Sequence, residues 1–243
     1  MTAFFQGLAS FCVAQSTTDT SLLCRANYYT EAQGSASLEK FASQYSNRKG
    51  WEERAAEIRK LIISGGELVN LPTKNPLKPI LSGKRIYDGY SVENIAIESF
   101  PGFFVTGNLY KPTQKLKSYA AILAPHGHNQ TPDMRRLEVV QRRCAAFSRM
   151  GAVVFSYDMI GYGDADQSSH EHRDALTIQT NNSMRVLDYL YALPEVDKKR
   201  IAVTGESGGG TQSFLLAALD ERVAVSVPVV MVSSHFLDRK SVV

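Results

Sequence analysis

The residues best placed to do chemistry lie in Gly205-Glu206-Ser207-Gly208-Gly209. A serine becomes a nucleophile when its hydroxyl is held clear of the backbone, and the G-x-S-x-G spacing is one way a chain achieves this. At the tip of such a turn the serine takes strained backbone angles, and the entering strand and departing helix come so close that the positions two before and two after can scarcely carry a Cβ. Gly205 and Gly209 meet that demand. The backbone N–H of Gly208 falls at the helix start, where unpaired donors and the positive dipole end stabilise an oxyanion. The same letters would also fit a structural glycine-rich turn. Context separates the two: the run from Ile201 to Thr204 reads as a strand, and Phe214, Leu215 and Ala218 repeat at helical spacing.

A second group follows the apolar run of residues 119–124, which has the character of a buried strand. Pro125-His126-Gly127-His128 resembles the oxyanion loop of α/β-hydrolases, in which a backbone N–H just past the glycine points at the substrate oxygen. The donor would be the N–H of His128, with His126 fixing the loop by hydrogen bonding. His126-x-His128 and His170-x-His172 also have the look of metal-ligand pairs, but spaced acids or cysteines do not flank them. Hydrogen-bonded loop histidines are the expectation, with no metal and no cofactor. Asp158 and Asp164 sit in the loop after a further buried strand, residues 152–157, where ligand crevices form in open sheets. Both precede the nucleophile, whereas the acid of this fold follows it, so both are expected to fix loops.

These residues need a scaffold, and the rest of the chain reads as one. Its 243 residues, 44% hydrophobic, are enough for a sizeable core. The formal charge of +3 comes from scattered Lys and Arg without a basic block, which speaks against nucleic-acid binding. Residues 1–14 are apolar, too short to span a bilayer, and followed by polar residues. They read as the later part of a secretion signal lacking its charged start, or as a buried helix; the first reading predicts a secreted or periplasmic protein. No other stretch is a transmembrane candidate. Three cysteines, Cys12, Cys24 and Cys144, leave their pairing open.

Residues 15–85 are expected to form a helical extension and linker. Leu38, Phe41, Tyr45, Trp51, Ala55, Ile58 and Leu61 mark two helices, with Trp51 a packing residue, and Pro72, Pro76 and Pro79 mark a connector. From 86 an antiparallel hairpin turning at Pro101-Gly102 leads into strand, helix, strand, helix, strand, helix, strand. The helices are expected over residues 137–150 and 175–192 and after Ser207, and the last strand over 222–230, buried like the others. This alternation predicts an α/β fold with a mostly parallel sheet covered on both faces, preceded by the hairpin.

From about Cys24 to Leu237 the chain resembles the secreted α/β-hydrolases of the acetyl xylan esterase type. The chief carriers are Gly205-Glu-Ser-Gly-Gly209 and Pro125-His-Gly-His128; Tyr87-Asp-Gly-Tyr90, Pro101-Gly-Phe-Phe104 and Val229-Val-Met-Val-Ser-Ser-His235 point to this branch. The resemblance implies a helical N-terminal extension and a serine esterase that deacetylates plant polysaccharides, its substrate a small-molecule or polysaccharide ester. A serine peptidase of the prolyl oligopeptidase kind shares the elbow, but its blade repeats are not seen in residues 15–85. A non-catalytic relative is the third reading.

The fold orders its triad as serine, acid, histidine. His235 and Asp238 come too early after Ser207 to complete it. Asp238-Arg-Lys-Ser-Val-Val243 back-translates to GATCGGAAGAGCGTCGTG, which resembles a sequencing adapter. The expectation is therefore a hydrolase core over 86–237, incomplete at its end, with a non-native tail over 238–243; a natural charged terminus is the alternative. Such a fragment is expected to be nearly inactive and poorly soluble.

Overall fold

A computed structural model of the chain describes residues 30–70, 75–129, 131 and 133–230. Residues 1–14, Cys24, His235 and the tail from Asp238 lie outside the described residues. The chain divides into two units, residues 1–54 and 55–243.

In the first unit, helix α1 (Glu31–Ala42) opens on a capping box: the Thr30 hydroxyl accepts from the Gln33 N–H, and the Gln33 side chain accepts from the Thr30 N–H. Trp51 stands in the opening turn of α2 (Arg48–Gly65), its ring 5.0 Å from that of Tyr45. It is 46% exposed, so its packing role is slight. Neither helix has a fully buried residue.

The second unit is built on a seven-stranded sheet in the order β1-β2-β3-β5-β4-β6-β7. Its strands are β1 (Ile80–Tyr87), β2 (Tyr90–Phe100), β3 (Phe103–Pro112), β4 (Tyr119–Leu123), β5 (Ala152–Tyr157), β6 (Val196–Glu206) and β7 (Val225–Val229). The first three are antiparallel, β3 meets β5 antiparallel, and β5, β4, β6 and β7 run parallel. Where the sequence predicts a two-stranded hairpin, the structure has three strands. The added strand β1 joins through Asp88-Gly89, with Gly89 at φ 81°, as a tight hairpin turn requires. All eight residues of β1 are exposed, so no apolar alternation marks it, and its start falls in what reads as the proline-rich connector.

Helices cover both faces. On one, Val186, Leu187 and Leu190 of α4 (Ala175–Ala192) and Leu216 of α5 (Gly208–Leu219) join Ile97, Leu109, Leu123, Phe155 and Ile201 of the sheet. On the other, Val140 and Cys144 of α3 (Glu138–Arg149) pack on Val92, Tyr110 and Val154. Each such side chain, fully buried, contributes about 1.5–3 kcal/mol against the entropy of ordering the chain. Cys144 is free, and burial pushes its thiol up to about 11, so it behaves as a small apolar residue.

Two differences from the sequence reading stand out. β7 is not buried: Val225, Val227 and Val229 are 54%, 52% and 43% exposed, because among the described residues it is the sheet's last strand. And α4 buries polar side chains as well as apolar ones. Gln179 Nε2 donates to Gln212 of α5 (2.7 Å), Tyr157 and Ser183 share a hydrogen bond (2.8 Å), and Asn181 donates to Ser99 (2.7 Å). These bonds replace for the groups that make them what water would have given, while Asn182 Oδ1 and Gln212 Nε2 stay without a partner among the described residues.

Candidate functional site

The site forms where β4, β5 and β6 end together. The chain goes from β4 to β5 on one side, then back across to β6 on the other, and crevices open at such reversals. The loop after β4 carries His126 and His128, that after β5 carries Asp158 to Asp164, and Ser207 follows β6 directly.

Ser207 has φ 56° and ψ −117°, angles that an L-residue adopts only under constraint. The constraint comes from both sides. Its N–H donates to Val229 O at the end of β7 (3.0 Å), and its carbonyl accepts from Thr211 in the first turn of α5 (3.0 Å). Its hydroxyl makes no hydrogen bond among the described residues. The glycines around it have no room for a side chain: a Cβ on Gly205 would stand 2.5 Å from Pro125 O, and one on Gly209 would meet the same oxygen at 2.5 Å. Gly210, which the sequence reading did not single out, is held as tightly against the carbonyls of Val229 and Val230.

Gly208 begins α5, so its N–H is one of the helix's unpaired donors. The loop after β4 lies against it. A Cβ on Gly127 would come within 2.9 Å of the Ser207 Cβ, and one on Gly208 within 2.8 Å of His128 Nδ1. The backbone of this loop therefore lies beside the serine, with the His128 ring over the helix start. His126 pins the loop from beneath. Its Nε2 accepts from the Met159 N–H (3.1 Å), which leaves Nδ1–H to donate to Gly127 O (2.9 Å). The ring is 1% exposed, and burial lowers its pKa.

His170, 42 positions from His128, meets it ring to ring: the two Nε2 atoms are 2.6 Å apart. Nδ1 of His170 donates to Ile160 O (2.9 Å), so its Nε2 is the acceptor and His128 Nε2–H the donor. Ile160 is itself anchored, its N–H donating to Gln179 (2.8 Å), which reaches on to Gln212. The His128 ring is thus tied through His170 to the frame of α4 and α5. Sequence offered no signal for this pair beyond two separate His-x-His motifs. His172 contributes nothing to it, its nearest acid being Asp174 at 3.8 Å. Beside Gly208 a narrow cavity of about 20 Å³, lined by His128, Met159, His170 and Gln212 among others, has room for about one water.

Asp158 and Asp164 hold loops together. Asp158, 1% exposed, accepts from Arg135 Nε (2.9 Å) and Thr106 Oγ1 (2.8 Å). Asp164 accepts from Arg135 (2.7 Å) and Arg136 (2.6 Å). Burial works against its charge, but the Arg136 and Arg135 guanidinium groups hold its carboxyl below the usual range. Arg135, 3% exposed and missed in the sequence, also donates to Asn108, tying β3, β5 and the loop before α3. Among the described residues no cluster of three or more His, Cys, Asp or Glu has metal-holding geometry, and no helix is long and apolar enough to cross a membrane.

The strand order, the strained serine between β6 and α5, and the His-Gly loop packed against it define an α/β-hydrolase fold. Residues 180–242 match the acetyl xylan esterase (AXE1) family model. Among solved structures, Methylesterase BT1017 is similar at a TM-score of 0.78 and 38% identity, over 85% of this chain and 47% of that one. The acetyl xylan esterase from Paenibacillus sp. R4 shares the fold, with a TM-score of 0.56 and 20% identity over 69% of this chain and 57% of that one. YtaP of Bacillus subtilis (strain 168), assigned to the hydrolases, is 26% identical over 166 residues, 58% of this chain and 54% of that protein. The chain spans about half the length of these relatives.

Proposed function

We propose that the whole protein is a secreted serine esterase that removes a small ester group, acetyl in the first instance, from a polysaccharide. The observation that carries this reading is the backbone of Ser207, held at φ 56° with the Gly208 amide beside it. The Ser207 hydroxyl attacks the ester carbonyl, and its proton passes to a base from outside the described residues. The oxygen that becomes negative is accepted by the backbone N–H groups of Gly208 and His128. Collapse of the tetrahedral intermediate expels the sugar hydroxyl, and water then frees acetate from the acyl-serine.

A methyl ester is the second reading, supported by 38% identity to a methylesterase. There the serine would attack a sugar acid's carbonyl and expel methanol. The test is to incubate the complete protein with acetylated xylan and with a methyl-esterified polyuronate, assaying acetate and methanol. Acetate release abolished by Ser207→Ala supports the first reading and methanol release the second. Release that survives Ser207→Ala overturns both.

A further inference from the structure

We propose that the groove between α3 and strands β1–β3 is a second binding site, which takes a carboxylate-bearing oligosaccharide. The choice of a sugar rests on the carbohydrate-esterase reading; the choice of a carboxylate rests on the groove. Its volume is about 740 Å³, within the range of ligand sites, and it shares no lining residue with the cavity beside Gly208.

Its floor and one wall are a ladder of tyrosines. The Tyr87 ring stacks on Tyr90 (centroids 5.1 Å apart, 16° between planes), and Tyr90 on Tyr110 (6.0 Å, 27°). Tyr110 is buried, whereas Tyr87 is 47% exposed and offers ring surface to a ligand. This gives the Tyr87-Asp-Gly-Tyr90 motif a use that the serine site leaves unexplained.

The charges around this ladder are four arginines against one acid, Glu138, and are poorly neutralised. Among the described residues Arg85 donates only to the amide oxygen of Asn94 (3.3 Å). Arg149 lies 4.9 Å over the Tyr90 ring and donates to the Asp88 carbonyl (2.9 Å). Both partners are neutral, and among the described residues neither guanidinium has a carboxylate. Arg142 has Glu138 at 3.3 Å, but both side chains are more than three-quarters exposed, so water screens the pair. Arg136 alone is satisfied, by Asp133 and Asp164. A cleft with three available guanidinium groups, one opposing acid and a low-dielectric floor concentrates positive potential. The planar fork of arginine matches a carboxylate in two parallel hydrogen bonds, and an aromatic face beside it suits the apolar face of a sugar ring.

The test is binding of trigalacturonic acid to the full chain by calorimetry, at low and high salt. Binding should weaken at high salt. Arg85→Gln and Tyr87→Ala, both exposed and checked for folding by circular dichroism, should each weaken it about tenfold. Ser207→Ala should bind as the unsubstituted protein does, and neutral xylotriose at least about tenfold more weakly. The proposal is overturned if xylotriose binds equally, if neither groove substitution matters, or if a short dT oligonucleotide of equal charge binds as tightly through the same residues. Loss of groove binding with Ser207-dependent hydrolysis intact refutes only this proposal. Intact binding without any ester hydrolysis refutes only the esterase reading.

Discussion

Replacing Ser207 with glycine should stabilise the protein while destroying the proposed nucleophile. At φ 56° and ψ −117° a Cβ crowds the backbone, and holding a non-glycine residue in such a region costs of order 1–3 kcal/mol. The fold imposes this through the bond from the Ser207 N–H to Val229 and the start of α5, neither of which needs the side chain. Glycine relieves the strain but gives the unfolded chain more freedom, returning about 0.4–1 kcal/mol. Taking the middle of both ranges, the net expectation is about 1–1.5 kcal/mol of added stability, or a rise in Tm of about 2–6 °C for a domain of this size. Ser207→Ala is the control: it keeps the Cβ, loses a hydroxyl that has no hydrogen bond among the described residues, and should stay within about 0.5 kcal/mol of the parent. Urea denaturation followed by circular dichroism measures all three. If glycine proves no more stable than alanine, Ser207 is not strained, and the elbow on which the nucleophile assignment stands is refuted.

Three further outcomes are expected. His170→Ala removes one of the ties on the His128 ring and, on the proposed function, should lower kcat of the complete protein by about tenfold, less than loss of a whole oxyanion donor, with KM nearly unchanged; His170→Gln, whose amide oxygen can accept from His128, should recover part of it. Arg135→Ala leaves the buried Asp158 carboxylate without its cation and should cost about 3–5 kcal/mol in urea denaturation, most of which Asp158→Asn in the same chain should restore. His126 is buried and its pKa lowered from 6.5, so the unfolded chain takes up a proton that the native one refuses. Its contribution is therefore complete above about pH 6.5 and is lost as pH falls below that; urea midpoints measured across this range should fall more steeply for the parent than for His126→Gln.

How much of this was legible in the sequence depends on how far apart the interacting residues lie. Ser207 and its flanking glycines are within a few residues of one another, and the α4 helix carries its own apolar repeat, so both could be read directly. The outer strand β1 could not, because a strand exposed on both faces has no alternation to read. The burial of polar side chains on α4 could not be read either, since nothing local shows that Gln179 will find Gln212 on a helix that comes later in the chain. Arg135 reads as one surface arginine among several until β3 and β5 bring Asn108 and Asp158 to it.

By itself the sequence marked the bend at Ser207 through the glycines at 205 and 209, within five residues that can be read together, although the Pro125 carbonyl that leaves those glycines no room for a Cβ comes from the loop after β4. Tertiary structure alone decided that the His128 ring lies over Gly208, that His170 fixes its donor atom, and that Arg85 and Arg149 face an acid-poor groove. These side chains come from loops and strands far apart along the chain, so their spacing is set by how the sheet orders its strands and by nothing in the residues between them.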